Sequence, residues 1–373
     1  MLDDVLIIGG GVIGLSLAYE LSTHGLRIRL IDRQQLGREA SWAGAGILPA
    51  AGRENLSDPY EQLRARSAEL HPIWAASLRE QTGVDTGYRA CGGLYVARSA
   101  DAAASLETAS SYWQYTGVTA EQVEPRRIKD VEPTLGLGAD EIASCYWVPG
   151  EAQLRNPWHL RAMEIACRQR GVTIDPGTPA EALAVRGDTV TGVVTGTGFL
   201  EAGAVCVAGG AWSRALLSSV GAKIAVRPVR GQMVLLRTTG PIPRCVVNDG
   251  LRYVVPRDDG RVLVGSTEEE AGFDKRTTTD GVAGLLEFGR ALVPSLGEAE
   301  FEAAWAGLRP ASERGTPYLG RIGELTNAYV ATGHFRSGLF LSPGTAEVMG
   351  QLIRGATPSI ELAAFTLEAE SRN

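Results

Sequence analysis

The sequence predicts an α/β fold made of two domains whose chain segments alternate, and three observations support this prediction. Residues 5–32 follow a strand–helix–strand pattern, residues 226–267 are rich in strands, and α/β character returns after residue 328. The sequence shows no internal repeat and no low-complexity linker that would separate domains placed one after another. We therefore expect interlaced domains, and 373 residues are enough for two.

The N-terminal segment has the pattern of a β-α-β unit. The apolar run 5–8 carries no charge, which is typical of a buried parallel strand. Apolar positions continue through residues 15–21, and Gly25 marks the predicted end of a helix. The alternating stretch 27–31 predicts a second strand, which ends at Asp32.

The remaining elements follow the same periodicity rules, with helices where apolar positions recur every three to four residues and strands where they alternate. Helices are predicted at residues 58–81, 101–115, 157–170 and 337–353. Strands are predicted at 92–97, 172–174, 204–207, 233–236, 253–255, 262–265 and 328–333, with hairpin turns at 186–188 and 258–260.

The composition disfavours several classes of protein. The net charge is −7 and no basic stripe is present, so we expect no nucleic-acid partner. The sequence has no apolar run of the about 18 residues that a membrane helix needs. Acidic residues at the N-terminus, Asp3 and Asp4, replace the basic residues of a secretory signal, so we expect a cytoplasmic protein. The 5 cysteines and 4 histidines are scattered without ligand spacing, which predicts neither disulfides nor a metal.

The glycine-rich segment 9–14 fits the G-x-G-x-x-G pattern between the first strand and the first helix. In this pattern Gly9 permits a tight turn, Gly11 lets backbone amides approach a pyrophosphate, and Gly14 allows close helix–strand packing. The phosphates would lie at the helix N-terminus, and Asp32 would bind a ribose diol. The same carboxylate repels a 2′-phosphate, which disfavours NADP. FAD and NAD both remain compatible with the motif.

Two further segments of small residues would let the backbone approach the same cofactor. Residues 40–48 follow the second strand, and within them Ser41 can donate to a phosphate. Gly209 belongs to a second small-residue segment, 208–210, at the end of a later strand. A helix start with small packing residues is the alternative interpretation of the first segment.

Two arginines and a tyrosine suggest a carboxylate site. Arg309 precedes a proline in an otherwise apolar segment, and Arg336 lies where a strand meets a helix. A guanidinium matches a carboxylate with two parallel hydrogen bonds. Tyr253 begins a strand and could add a phenolic hydrogen bond. Each arginine could instead pair with a structural acid, and Tyr253 could be a core aromatic. We interpret His334 as a cofactor contact, because a histidine flanked by glycine and phenylalanine near a cofactor is as often structural as it is a general base.

Several segments together resemble one family of enzymes. The chain resembles the D-amino-acid oxidase and sarcosine oxidase superfamily of FAD-dependent oxidases, and within it the glycine oxidases of thiamine biosynthesis. The order of the segments 305–310 and 333–338, Trp-Ala-Gly-Leu-Arg-Pro and Gly-His-Phe-Arg-Ser-Gly, is the most specific part of this likeness. The other matching segments are residues 9–14, 41–48, 253–257, 260–261, 264–265, 301 and 317–320.

The resemblance implies a Rossmann-like FAD-binding domain interlaced with a mixed-sheet, α+β substrate domain. We expect residues 1–50, 145–225 and 315–365 in the first and residues 51–144 and 226–314 in the second. Arg336 would clamp the substrate carboxylate, with Arg309 and Tyr253 assisting it. The helix after residue 337 would stabilise reduced flavin. The implied cofactor-binding residues are Gly9, Gly11, Val12, Ile13, Gly14, Asp32, Arg33, Ala40, Ser41, Ala45, Gly46, Ile47, Ala180, Gly209, His334, Phe335, Arg336, Ser337, Gly338, Leu339 and Phe340.

The implied reaction is the oxidation of glycine, sarcosine or small D-amino acids by oxygen through an imine to the oxo acid, ammonia and hydrogen peroxide. No cysteine follows Cys245, so FAD is expected to bind non-covalently. The family also suggests a tetramer. A dehydrogenase with another electron acceptor and a non-catalytic dinucleotide-binding protein are the alternatives. Leu251, Glu268 and Glu269 depart from the family pattern, and an acid near the pocket could favour an extra amine or reject anionic side chains.

Overall fold

The computed structural model describes residues 2–367 of the protein, and the elements below are those of this part of the chain. The strands are β1 (Asp3–Ile8), β2 (Ile28–Asp32), β3 (Ile47–Leu48), β4 (Gly93–Ala97), β5 (Glu121–Gln122), β6 (Ser144–Val148), β7 (Ala152–Gln153), β8 (Thr173–Pro176), β9 (Ala180–Arg186), β10 (Thr189–Thr195), β11 (Gly198–Val207), β12 (Val226–Arg237), β13 (Val246–Asp249), β14 (Arg252–Pro256), β15 (Arg261–Gly265), β16 (Glu300–Ser312), β17 (Tyr318–Arg321) and β18 (Ala328–Thr332). The helices are α1 (Val12–Leu21), α2 (Ala40–Ala43), α3 (Pro59–Thr82), α4 (Ala100–Thr116), α5 (Ile128–Val131), α6 (Asn156–Gln169), α7 (Ser213–Ser218), α8 (Thr279–Leu292) and α9 (Gly338–Ile353).

The first sheet has the strand order β17-β18-β11-β1-β2-β8, and β10 and β9 extend it from β11. β1 pairs in parallel with both β2 and β11, and β11 pairs in parallel with β18. The carboxyl ends of these strands therefore meet at one edge of the sheet, where ligands bind in open α/β sheets. The predicted β-α-β unit is confirmed, and the α/β fold class with it.

The second sheet has the order β16-β12-β15-β14-β13-β4-β6-β5. Its pairing is mixed, because β13 and β4 are parallel whereas the neighbouring pairs are antiparallel. The longest pairing joins β12 to β16, and it runs from Val226 opposite Ser312 to Arg237 opposite Glu300. Helix α8 packs against β12 and β15 and buries Leu285, Phe288 and Leu292.

The two sheets are interlaced along the chain. The first sheet takes its strands from residues 3–32, 173–207 and 318–332, whereas the second takes them from 93–148 and 226–312. Two elements depart from the expected segments. β6 pairs with β4 in the second sheet although its residues 145–148 were expected in the cofactor domain, and α3 packs on α9, which lies against the first sheet. The domain boundaries themselves stay a prediction.

Helix α3 illustrates how local sequence sets an element. The Asp58 carboxylate accepts a hydrogen bond from the Tyr60 amide at 2.9 Å, Pro59 occupies the first turn, and Gly83 ends the helix at φ +72°. Its apolar face carries Leu63, Leu70, Trp74 and Leu78 into the core that also buries α1, α6 and α9. None of the helices in residues 2–367 combines the length and apolarity needed to cross a membrane.

Candidate functional site

A cavity of about 660 Å³ lies between the two sheets, at the carboxyl edge of the first. The first sheet contributes the residues that follow β1, β2, β11 and β18, and the second sheet contributes side chains from β4, β12, β13, β14 and β16. A volume of this size is typical of small-molecule and cofactor sites.

The glycine-rich turn after β1 forms one wall of the cavity. Gly9 has φ +110°, and a Cβ there would lie 2.5 Å from the Ala208 carbonyl oxygen. A Cβ on Gly14 would lie 1.9 Å from the Gly9 carbonyl oxygen, so only glycine lets α1 pack this closely on the turn. The Val12 amide donates to Ser41 Oγ at 2.9 Å. The first turn of α1 thus faces the cavity with a positive dipole end, suited to a phosphate.

Asp32 closes the opposite side of this turn. Its carboxylate accepts hydrogen bonds from the Gly10 amide at 2.7 Å and from the Gln34 amide at 2.9 Å. Burial raises the pKa of Asp32. Arg33 lies 3.6 Å from the centroid of the Trp212 ring and donates to Glu39 at 2.7 Å. Asp32 thus offers this end of the cavity a carboxylate that can accept hydrogen bonds from hydroxyl groups. Arg33 and Trp212 add a flat surface, made of a guanidinium stacked on an indole ring.

The segment after β2 is held against the cavity from both domains. Asn156 Nδ2 donates to the Ser41 carbonyl at 2.7 Å, and the indole of Trp305 donates to the Ala43 carbonyl at 3.0 Å. Arg257, which is buried, donates to the Ala45 carbonyl at 2.7 Å. A Cβ on Gly46 would lie 1.9 Å from the Leu154 carbonyl oxygen. The backbone of residues 43–46 therefore runs along the cavity wall with its carbonyls anchored behind it.

The turn into α9 forms a third wall. His334 is buried, and its Nε2 lies 3.1 Å from Thr345 Oγ1. Burial lowers the pKa of His334 to about 3, so its imidazole is neutral at physiological pH. Residues 334–340 line the cavity, and the N-terminus of α9 has no side-chain cap. Its open amides are available to an electron-rich ligand.

Arg309 places a partly buried guanidinium at the other end of the cavity. Its nitrogens donate to Ser266 Oγ at 2.7 Å and to the Thr267 carbonyl at 3.1 Å. Within residues 2–367 no carboxylate lies at ion-pair distance from it. Gly231 makes room for it, since a Cβ there would lie 2.2 Å from its terminal nitrogens. Burial lowers the pKa of Arg309 and the adjacent Tyr253 raises it, yet a guanidinium remains cationic in proteins.

Arg336 lies at the rim of the same end. Its Nη1 donates to Glu268 at 3.3 Å, and its Nη2 donates to the Leu251 carbonyl at 3.0 Å. Leu251 itself is 62% exposed. Glu269 turns away from the cavity, because its carboxylate accepts from Arg230 and from Gln232. Of the three departures from the family pattern, Glu268 is therefore the acid that contacts a cavity residue.

The structure brings the predicted site residues together. Gly14 lies beneath the glycine turn, and the other predicted residues line the cavity: Gly9, Gly11, Val12, Ile13, Asp32, Arg33, Ala40, Ser41, Ala45, Gly46, Ile47, Ala180, Gly209, Tyr253, Arg309, His334, Phe335, Arg336, Ser337, Gly338, Leu339 and Phe340. Their roles toward cofactor and substrate stay predictions.

Sequence reasoning missed several residues that line or support the cavity. Tyr95, Asn248, Asn156 and Trp212 line it, and Arg257 supports its wall. Arg257 lies in the segment 253–257, which matches the family pattern, but the sequence assigned no role to it. The others lie on strands or helix starts with no motif around them, and no sequence signal identified them.

The residues present fit a bound dinucleotide. The N-termini of α1 and α9 both open onto the cavity, and in neither helix does the side chain of the N-cap residue accept a hydrogen bond. Asn156 Oδ1 is buried at the cavity wall and has no hydrogen-bond partner within residues 2–367. Such an orphaned acceptor indicates a ligand donor, because buried polar atoms in native structures are almost always paired.

Fold and site together define a dinucleotide-dependent oxidoreductase, and the chain belongs to the family described as FAD dependent oxidoreductase (DAO), which matches residues 4–352. The predicted resemblance is confirmed, and of the two cofactors left open the family uses FAD.

Particular relatives make the likeness more specific. Glycine oxidase of Geobacillus kaustophilus (strain HTA426) is 34% identical over 367 residues, which cover 98% of this chain and 96% of that protein. The crystal structure of glycine oxidase from Geobacillus kaustophilus superposes with a TM-score of 0.91 at 32% identity, covering 98% of both chains. The bifunctional protein ThiO/ThiG of Trichormus variabilis is 32% identical over 95% of this chain and 53% of its own length.

Proposed function

We propose that this protein oxidises glycine and other small amines or amino acids, such as sarcosine and small D-amino acids. In the glycine reaction, the amine and its α-carbon lose two electrons and two protons to give an imine, and water converts the imine to glyoxylate and ammonia. Oxygen takes up the two electrons and two protons and becomes hydrogen peroxide. The name of the glycine oxidase relative from Geobacillus kaustophilus supports this substrate.

The observation that carries the proposal is the partly buried guanidinium of Arg309. It faces the cavity beside Tyr253, and within residues 2–367 its hydrogen-bond partners are the neutral residues Ser266 and Thr267, with no carboxylate at ion-pair distance. Withdrawing a cation from water is costly unless an anion compensates it, and a substrate carboxylate can supply that charge. The guanidinium can bind that carboxylate with parallel hydrogen bonds, and the phenol of Tyr253 can add another.

This geometry changes the roles that the resemblance implies for the two arginines. The resemblance gave the main clamping role to Arg336, but Arg336 already pairs with Glu268 and the Leu251 carbonyl at the rim. We therefore assign the main clamp to Arg309 and a closing role at the cavity mouth to Arg336. His334 contributes no proton, because its low pKa keeps the imidazole neutral and Thr345 contacts its Nε2.

FAD fits the other end of the cavity, held at its diphosphate by the N-terminus of α1 and Ser41 and at its ribose by Asp32. Bound FAD supplies the two-electron acceptor for the amine. The N-terminus of α9 stabilises negative charge that develops beside it. We propose non-covalent binding, and no cysteine is among the residues of the described chain that line the cavity.

The imine gives the reaction a place in biosynthesis. One relative is named bifunctional protein ThiO/ThiG, and the match to this chain covers 53% of its length. This name supports a role of the imine in thiazole and thiamine synthesis. A cytoplasmic location, a tetramer and oxygen as the acceptor are parts of the same proposal. A dehydrogenase with another acceptor is the alternative.

The first test is the anaerobic visible spectrum of the purified protein before and after glycine is added. We expect glycine to bleach the flavin bands, and air to restore them with formation of peroxide. Flavin that bleaches but is not reoxidised by air indicates the dehydrogenase alternative. Flavin that glycine leaves unchanged contradicts the proposed substrate.

The second test compares Arg309→Leu with Arg336→Leu. Because Arg309 is less exposed than Arg336, a charge-assisted pair with the substrate contributes more at Arg309, and kcat/KM for glycine should fall by about 100-fold or more in Arg309→Leu. The loss in Arg336→Leu should be several times smaller, and Arg309→Lys should recover part of the activity. Equal losses in both leucine variants would contradict the assignment of Arg309 as the main clamp. Both variants should retain FAD, measured by absorbance.

A further inference from the structure

A row of side chains crosses the second sheet beneath the substrate end of the cavity. Met233 pairs with Gly265, Gly265 with Tyr253, Tyr253 with Asn248, and Asn248 with Tyr95. Residues paired in register point to the same face of a sheet. Met233, Tyr253, Asn248 and Tyr95 accordingly all line the cavity. Asn248 therefore stands next to the phenol that we place at the substrate carboxylate.

The side chain of Asn248 is oriented by a buried acid. Glu151 is 0% exposed, and its Oε1 accepts a hydrogen bond from Asn248 Nδ2 at 3.1 Å. Its Oε2 accepts from the Tyr95 hydroxyl. An ionised carboxylate only accepts hydrogen bonds, so it holds the amide nitrogen of Asn248 toward it. In the structure the amide of Asn248 accordingly has its nitrogen toward Glu151 and its oxygen away from it.

The oxygen of Asn248 is available to a ligand. Asn248 is only partly buried, and within residues 2–367 its Oδ1 has no hydrogen-bond partner. The carboxylates that line the cavity are Asp32, Glu39 and Glu181, which belong to the first sheet's side, where the dinucleotide is placed. The substrate end has the cations Arg309 and Arg336, and Glu268 at its rim is already paired with Arg336. The amine hydrogens of the substrate therefore need an acceptor inside the cavity.

We infer that Asn248 Oδ1 accepts a hydrogen bond from the substrate amine, and that Glu151 is the positioning residue which holds the amide in this orientation. This inference rests on the proposed function and deepens it. Side chains directly opposite on neighbouring strands are about 4.5–5.5 Å apart, which suits the short span between the carboxylate and the amine of an amino acid. A neutral acceptor also suits the chemistry, because it adds no charge that would keep the amine protonated.

The test separates amine recognition from carboxylate recognition. Asn248→Leu keeps the approximate size of the side chain and removes the acceptor. We expect kcat/KM for glycine to fall by about tenfold or more, as for loss of one hydrogen bond in a closed site. The Kd of acetate, which has a carboxylate and no amine, should stay within about twofold of wild type when it is titrated by the flavin difference spectrum. Asn248→Ala should give the same split if the leucine variant fails to fold.

Glu151 is tested by rescue. Glu151→Ala frees the amide to rotate and should reduce glycine turnover without changing acetate binding. Glu151→Gln can still accept from Asn248 Nδ2 and should retain most of the activity. In Asn248→Leu/Glu151→Ala the loss should not exceed that of Asn248→Leu alone, because both act on the same hydrogen bond. The matched control is Tyr146→Phe. Tyr146 pairs with Tyr95 on the neighbouring strand but does not line the cavity, so glycine turnover and acetate binding in this variant should equal those of wild type.

The outcomes distinguish the inference from the function on which it rests. If glycine does not reduce the wild-type flavin, the proposed substrate is wrong, and the inferred contact between its amine and Asn248 is wrong as well. If wild type is reduced but Asn248→Leu turns glycine over normally, or loses glycine and acetate binding together, the inference alone is overturned.

Discussion

Some buried polar residues of this protein form hydrogen bonds with residues that are distant in the sequence. Sequence reasoning alone cannot assign the roles of such residues. Arg257 donates to Gln153 Oε1 at 2.5 Å and to the carbonyls of Leu154 and Ala45. Those partners are 104, 103 and 212 residues away along the sequence. A sequence motif can mark such a position as unusual. The role becomes visible only when the fold brings the partners together.

Glu151 gives a prediction at the scale of one residue. Burial raises the pKa of its carboxyl from 4.5 to about 7, despite hydrogen bonds from Tyr95 and Asn248 that lower it. The folded protein therefore binds more protons than the unfolded chain between these two values, and the free energy of unfolding falls as pH rises through this window. At 1.36 kcal/mol per unit this amounts to about 3 kcal/mol by pH 8.

Urea unfolding at pH 5 and pH 8 measures this effect. Glu151→Gln is neutral at both pH values and removes the titrating carboxyl. Between pH 5 and pH 8 the free energy of unfolding of wild type should therefore fall by about 2.5 kcal/mol relative to that of the variant, because part of the effect lies below pH 5. Parallel pH dependence in the two proteins would show that Glu151 does not titrate in this window.

At the scale of elements, glycines inside helices have opposite effects on stability in α1 and α8. A Cβ on Gly14 of α1 would lie 1.9 Å from a backbone oxygen, whereas a Cβ on Gly284 of α8 meets nothing within 4 Å. The first glycine is required by packing. The second only weakens its helix, because glycine costs up to about 1 kcal/mol relative to alanine in a helix interior.

Gly14→Ala and Gly284→Ala therefore form a matched pair of variants. Gly14→Ala should displace α1 from the glycine turn, lower the free energy of unfolding by about 1–3 kcal/mol and weaken FAD binding. Gly284→Ala should raise the free energy of unfolding by up to about 1 kcal/mol and leave FAD binding unchanged. Thermal unfolding and FAD titration of the apoprotein measure both. A stable Gly14→Ala variant with normal FAD affinity would contradict the packing argument.

The predicted elements were accurate where local signals agree. The helix expected at 58–81 is observed at Pro59–Thr82, since a cap, a proline and a terminal glycine all mark it. Strand β16 was not predicted, because Gly307 and Pro310 weaken its signal and its stability comes from pairing with β12. Helix α8 was also missed, since its glycines interrupt the apolar pattern; one of them, Gly281, packs against Gln232.

At the scale of the molecule, the cavity exists because the second sheet is held against the first. Arg257 and Trp305 reach across to the carbonyls of Ala45 and Ala43. The three segments 9–14, 40–47 and 334–340 could be predicted because each is contiguous and rich in small residues or motif residues. The side chains of the second sheet that face them could not, since their approach depends on how the two sheets pack.

Arg257→Met tests this connection between the sheets. The variant removes the donors for two buried carbonyls, so the wall at residues 44–48 should loosen. We expect the Kd of FAD to rise by about 10–100-fold and amide exchange of this segment to accelerate. Arg261→Met is the matched control, since Arg261 is partly exposed, pairs with Glu302 and Asp259, and donates to none of the carbonyls that Arg257 holds. Unchanged FAD affinity in Arg257→Met would show that the wall holds without it.

The interlaced strand order also has a consequence during synthesis of the chain. β1 lies between β2 and β11, and β11 in turn pairs with β18, whose residues 328–332 are translated long after β1. The β-α-β unit therefore cannot complete its sheet until residues 328–332 have emerged from the ribosome. Pairing between strands so distant in the sequence is slow. We therefore expect FAD to bind only after β18 has been translated, and a nascent chain stalled before residue 328 should hold no FAD.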